Sequence, residues 1–160
     1  MDRIRAPWRM SYLLSASSGP CLFCRVIAAA PDADRVNLVL CRRRRALVML
    51  NAYPYTPGHL MVVPEAHADA PDRLSADDRG ALSDALCETL ARLRLAVRPD
   101  GVNLGMNLGS AGGAGIADHC HWHLVPRYVG DTNFASVVGE VRVIPEALLA
   151  TYDRLLANFS

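Results

Sequence analysis

The 160-residue chain has no uninterrupted apolar run near the roughly 18 residues a membrane-spanning helix requires, so no such helix is expected. A signal peptide is not expected either. Arginines occur early, but Pro7, Trp8, Arg9 and Ser11 break up any apolar core. These features predict a cytoplasmic protein with no membrane partner. There is also no surplus of charge. Lys and Arg number 17 against 16 Asp and Glu, a formal net charge of +1. That balance gives no general electrostatic basis for binding nucleic acid or an anionic lipid surface, so any polyanion must be held by a local site. An even cysteine count is missing as well. Five cysteines argue against a disulfide framework. Internal repeats are absent, and Arg42–Arg45 is the one low-complexity tract.

What is present reads as one globular domain. Apolar residues make up 51% and charged residues 21% of the chain. Residues 1–20, with Pro, Trp, Arg and a serine-rich stretch ending in Gly19-Pro20, read as an N-terminal arm, and 21–160 as the domain. A short helix is predicted over Cys21–Ala30. Strands are predicted over Val36–Cys41, Ala46–Leu50, His59–Val63, Val102–Leu108 and His119–Val125, with Pro64 and Pro126 as stops. Asn51–Gly58 reads as a loop because it holds Pro54, Pro57 and Gly58. Ser75 and Asp78 form a plausible capping box for a long helix, whose apolar stripe is Leu82, Leu86, Leu90, Leu93 and Val97. Pro145 suits the first turn of a final helix reaching Ala157. The predicted class is α+β: a largely antiparallel five-stranded sheet, one long helix and a C-terminal helix.

Chemistry concentrates in the histidines. The chain has five, and three fall in His119-Cys120-His121-Trp122-His123. On a strand, alternate residues share a face, which places these imidazoles in a row about 7 Å apart. Two readings fit: a three-histidine metal site, or covalent catalysis by an imidazole nucleophile. The preceding loop, Gly109-Ser110-Ala111-Gly112-Gly113-Ala114-Gly115, favours attack on phosphorus, because exposed backbone N–H groups can hold phosphate oxygens. Cys21 and Cys24 have zinc-knuckle spacing, and also fit a redox pair or two reduced, partly buried thiols. Cys41 and Cys87 read as core or half-buried thiols. Arg42–Arg45 reads as a solvated turn, with attraction of polyphosphate as the functional alternative.

His119-Cys120-His121-Trp122-His123-Leu124-Val125 resembles the His-φ-His-φ-His-φ-φ signature of the histidine-triad (HIT) superfamily. Tyr55-Thr56-Pro57-Gly58-His59-Leu60-Met61-Val62-Val63-Pro64 is similar to that superfamily's Pro-Gly-His strand. A narrower resemblance, to the bacterial diadenosine tetraphosphate phosphorylase branch, lies in Ala6-Pro7-Trp8-Arg9-Met10, Asn51-x-Tyr53-Pro54-Tyr55, Val125-Pro126-Arg127-Tyr128-x-Gly130-Asp131-x-Asn133-Phe134 and Val143-Ile144-Pro145.

The resemblance implies a HIT-like fold and a nucleotidyl transferase or hydrolase acting on dinucleoside polyphosphates. His121 is then the nucleophile, His123 acts at the bridging oxygen, and His59 supports the nucleophile from a neighbouring strand. Asn51 would bind ribose hydroxyls, and Asn107 with the backbone of Gly113–Gly115 would hold phosphate oxygens. Cys21, Cys24, His67 and His119 would bind a structural zinc, with no organic cofactor. The acceptor is inorganic phosphate or water, phosphorolysis of diadenosine tetraphosphate being the leading expectation. Phosphoramidate hydrolysis and non-catalytic nucleotide binding are the alternatives. A homodimer with joined sheets is also implied. One departure stands out: many members carry Gln then Ser or Thr where this chain has Gly115 and Ile116. That substitution removes side-chain contacts to the phosphate and leaves space for an acceptor phosphate.

Overall fold

The computed structural model describes residues 20–131 and 146–159. The motifs around Trp8, Asn133 and Pro145 lie outside them. Helix α1 is Leu22–Ala28. Strands β1 (Val39–Arg43) and β2 (Ala46–Leu50) form a hairpin, followed by β3 (Leu60–Pro64). The long helix α2 spans Ala76–Val97. Strands β4 (Gly101–Gly105) and β5 (Trp122–Arg127) come next, and α3 is Leu148–Leu156. All strand pairs are antiparallel, in the order β1-β2-β3-β5-β4. The α+β class expected from the sequence holds.

Both faces of the central strands are covered, which is why β2 and β3 are buried at every position. Val48, Leu50, Leu60 and Val62 face one way, into a core with Leu82, Ala85 and Leu93 of α2 and Tyr152 and Leu155 of α3. Leu47, Met49, Met61 and Val63 face the other way, against Phe23 and Val26 of α1. The capping box forms as expected: Ser75 Oγ accepts the Asp78 N–H at 3.1 Å. Leu86 and Leu90 of the predicted stripe are only partly buried, while Thr89 is 2% exposed.

Several sequence expectations change in the fold. β1 starts at Val39 and takes in Arg42 and Arg43, which were expected in the connecting turn. Arg42 bonds Asp34 and the carbonyls of Ile27 and Ala29, fastening the end of α1 to the sheet. Arg43 pairs with Glu88, and Arg45 with Asp78. Three of the four arginines are therefore braces, and Arg44 is exposed in the turn as expected. Cys87 is exposed on α2 rather than half-buried.

Pro126 does not end β5; it pairs with Val102 and the strand continues to Arg127. The pairing of β5 with β3 stops at Leu124, and the Pro126 carbonyl on that side accepts Thr56 Oγ1–H at 2.8 Å. A missing N–H there breaks no ladder bond. β4 ends at Gly105, and His119–His121 precede β5 rather than lying in it.

Candidate active site and metal cluster

Alternation persists through the irregular approach to β5. His121 and His123 face the α1 side, while Cys120 is buried in the opposite core and its N–H donates to Ala68 O at 2.7 Å. The imidazoles are closer than regular strand spacing: the His121 and His123 ring centroids are 4.7 Å apart. His121 lies outside the strand, so the regular two-residue spacing does not apply to this pair. His59 and His119 are 0% exposed and His121 is 4% exposed.

Fixed backbone donors and acceptors assign a tautomer to each buried ring. The Tyr55 N–H donates to His59 Nδ1 at 3.2 Å, so the His59 proton is on Nε2. That Nε2–H donates to His123 Nδ1 at 2.9 Å, which leaves the His123 proton on its own Nε2. The His121 Nδ1–H donates to His119 O at 2.9 Å, leaving the His121 Nε2 lone pair unprotonated. The His119 Nε2–H donates to Pro64 O at 2.9 Å, leaving Nδ1 as a free base. Burial favours the neutral form of His59, His119 and His121. It lowers the pKa of His121 and His119, and takes His59 from 6.5 to about 3, with the charges of His123 and His121 adding to that effect.

His121 and His123 open into a cavity of about 270 Å³. Asn51, Asn107, Gly113 and Gly115, the residues expected to contact the nucleotide, line it too, and His59, expected as a support from a neighbouring strand, lies behind the wall. Asn51 Oδ1 accepts the Tyr53 N–H at 2.9 Å, and its Nδ2 lies 3.4 Å from His59 Nδ1. The glycine loop is tight. A Cβ at Gly112 would sit 2.3 Å from Leu108 O, and Gly113 has φ +83°. The Gly113 and Ala114 N–H groups close the loop on Ser110 O and Gly109 O, at 3.0 and 3.2 Å. The expected phosphate cradle is thus narrower than Gly113–Gly115. Asn107 Nδ2 donates to Gly113 O at 3.5 Å and holds the loop to the strand end.

Phe23 was missed by sequence reasoning. Its ring lies 4.8 Å from that of His121 and lines the cavity with Leu22 and Ile116. The only signal for it was its place between Cys21 and Cys24. Tyr55, stacked 4.8 Å from His59, also lines the cavity.

Cys21, Cys24, His67 and His119 converge, their ligand atoms all within 4.8 Å of one another. Cys21 Sγ is 3.4 Å and Cys24 Sγ 3.6 Å from His119 Nδ1, and Cys24 Sγ is 3.2 Å from His67 Nδ1. A tetrahedral zinc with ordinary bond lengths separates sulfur and nitrogen by about 3.5 Å. Burial, the hydrogen bond the Cys24 thiol donates to Cys21 and nearby negative charge raise the Cys24 thiol's pKa, an effect a bound cation would reverse. The donor set is therefore able to hold a metal ion.

The fold agrees with what the comparisons found. A HIT domain family model matches residues 34–130, and the chain belongs to the HIT family. It is 36% identical to the AP-4-A phosphorylase of Mycobacterium tuberculosis, with 99% of this chain and 84% of that protein aligned. A zinc-bound histidine triad family protein from Mycobacterium smegmatis superposes with a TM-score of 0.67 at 23% identity, over 88% of this chain and 93% of that one. A HIT family member from Bacillus subtilis gives 0.62 at 25% identity, over 70% and 76%. Among the described residues, no helix is long and apolar enough to cross a membrane.

Proposed function

We propose that this protein transfers a nucleotidyl group from a dinucleoside polyphosphate to inorganic phosphate through a covalent intermediate on His121, converting diadenosine tetraphosphate to ATP and ADP. The observation that carries this reading is the His121 ring. Its Nδ1–H is committed to a backbone carbonyl, and its Nε2 lone pair faces a cavity lined by Asn107 and the glycine loop. Likeness to a protein named AP-4-A phosphorylase supports the substrate class.

In the first step, His121 Nε2 attacks the α-phosphorus while the bond to the bridging oxygen breaks. His123 Nε2–H gives that oxygen its proton, and ATP leaves. The positive charge developing on His121 is stabilised by the carbonyl that holds its Nδ1–H. In the second step, a phosphate oxygen attacks the same phosphorus. The P–N bond breaks, His123 recovers a proton from the phosphate, and ADP leaves. Asn107 and the loop backbone stabilise the five-coordinate phosphorus, and Asn51 holds the ribose. Cys21, Cys24, His67 and His119 hold a structural zinc, which pins α1 and Phe23 against the triad without entering the reaction. Pairing into a homodimer would use a sheet edge, β1 or β4, and light scattering tests it.

The test is incubation with diadenosine tetraphosphate, with and without phosphate, beside His121→Ala. ATP and ADP formed only with phosphate, and only by the wild type, are expected. AMP and ATP formed without phosphate would make the protein a hydrolase with the same intermediate. No turnover would remove the substrate assignment and direct attention to phosphoramidates. Gly115→Gln addresses the acceptor: if Gly115 leaves room for phosphate, this variant loses phosphorolysis more than intermediate formation.

A further inference from the structure

The open face of the sheet does not end at the triad. A second cavity of about 300 Å³ continues along β5 and β4, and shares Tyr55, Asn107 and His123 with the first. Val125 and Arg127 follow His123 at alternate positions, so they share its face. Opposite them on β4 lie Gly105, Asn103 and Gly101, in register with His123, Val125 and Arg127. The two glycines add no side chain to that face, and among the described residues a Cβ at either would meet nothing within 4 Å.

The far end of this groove is polar and built. Arg127 is held by Asp131 through two hydrogen bonds, from Nε and from Nη2, the latter at 2.8 Å. Its Nη1 donates to Asn103 Oδ1 at 2.9 Å. A guanidinium has five N–H donors, and these contacts use three. Because Asn103 must present its oxygen to Arg127, its Nδ2 donors point elsewhere. Both residues line the cavity. Four residues of extended chain separate His123 from Arg127, about 13 Å. That length leaves room for phosphates next to His123 and a nucleoside end next to Arg127.

We infer that this groove is the subsite for the leaving half of the substrate, a nucleoside polyphosphate, with Asn103 and Arg127 as its positioned donors. The inference rests on the proposed nucleotidyl transfer and adds to it a determinant of substrate size. Asp131 keeps the guanidinium oriented and offsets its charge, so Arg127 works here as a directional donor and not as a loose cation. The nucleotidyl half that becomes attached to His121 does not touch this end.

The test compares two substrates that share one nucleotidyl half: diadenosine tetraphosphate, and the p-nitrophenyl ester of AMP, which has no distal nucleotide. Asn103→Ala and Arg127→Met are expected to lower kcat/KM for the dinucleotide by roughly tenfold each, chiefly through KM. The same variants should change ester turnover by less than about twofold. Equal losses on both substrates would mean a structural role and overturn the inference. Unchanged kinetics on both would overturn it too. A wild type that adenylylates His121 from the ester but never uses the dinucleotide would remove the dinucleotide reading and the subsite together. A wild type that uses both substrates, with indifferent variants, would remove the subsite alone.

Discussion

His119 and His121 are two residues apart, both buried and both neutral, yet they present opposite nitrogens. His119 donates from Nε2 to Pro64 O and offers Nδ1 to two thiols. His121 donates from Nδ1 to His119 O and offers Nε2 to the cavity. One ring belongs to a closed cluster of four donors, the other to an open cavity of about 270 Å³. The side chains are identical; a backbone carbonyl in a different place decides which nitrogen is basic, and the surroundings decide what it meets. The two regions are also tied together. His119 is a member of the cluster and gives His121 its acceptor. Phe23 lies between Cys21 and Cys24 in sequence and packs on both rings.

The most severe way to break this comparison is His121→Ala. Turnover should fall by roughly 10⁴-fold or more, and mass spectrometry should find no nucleotidyl adduct. The metal content should not change, because the cluster keeps all four donors. His123→Ala is next. It should slow the dinucleotide reaction by about 10²-fold or more, through loss of the proton donor. A nitrophenyl ester leaves without a proton, so its rate should hardly fall, and the ratio of the two rates separates proton donation from general damage.

Cys24→Ser attacks the other region. Bound zinc, read by atomic emission, should drop from one equivalent to near none. The melting temperature should fall by several degrees, roughly 3 °C for each 1 kcal/mol lost in a chain of this size. Turnover should fall too, because α1 is no longer pinned and Phe23 no longer packs on His121. Near-UV circular dichroism of the metal-free protein would report that loosening.

The smallest effect is that of pH through His59, whose pKa is 6.5 when free and about 3 in the fold. Between those values the unfolded chain binds the proton and the folded chain does not. Stability is therefore complete above about pH 6.5 and falls as the pH drops toward 3, by up to about 1.4 kcal/mol per pH unit from this residue. Urea unfolding across that range should show a shallower acid slope in His59→Gln. An unchanged slope would mean that His59 is not held neutral.

The sequence alone carried much of this. The alternation of His119, His121 and His123 with Cys120 and Trp122 set which side chains share a face, because strand period is a local property of the backbone. The Ser75 cap, the leucine period of α2 and the glycine loop were legible for the same reason. What depends on partners distant in the chain was not. Cys21 and His119 stand 98 positions apart, and only packing brings sulfur to nitrogen. Pro126 reads as a strand stop until the fold leaves that side of β5 without a paired strand. Arg42, Arg43 and Arg45 read as part of a solvated turn until Asp34, Glu88 and Asp78 arrive from other elements. The tautomers that leave Nε2 of His121 and Nδ1 of His119 as the basic nitrogens were decided last of all. A proton's place on a buried ring depends on which backbone group lies within hydrogen-bonding distance, and the tertiary structure alone supplies that group.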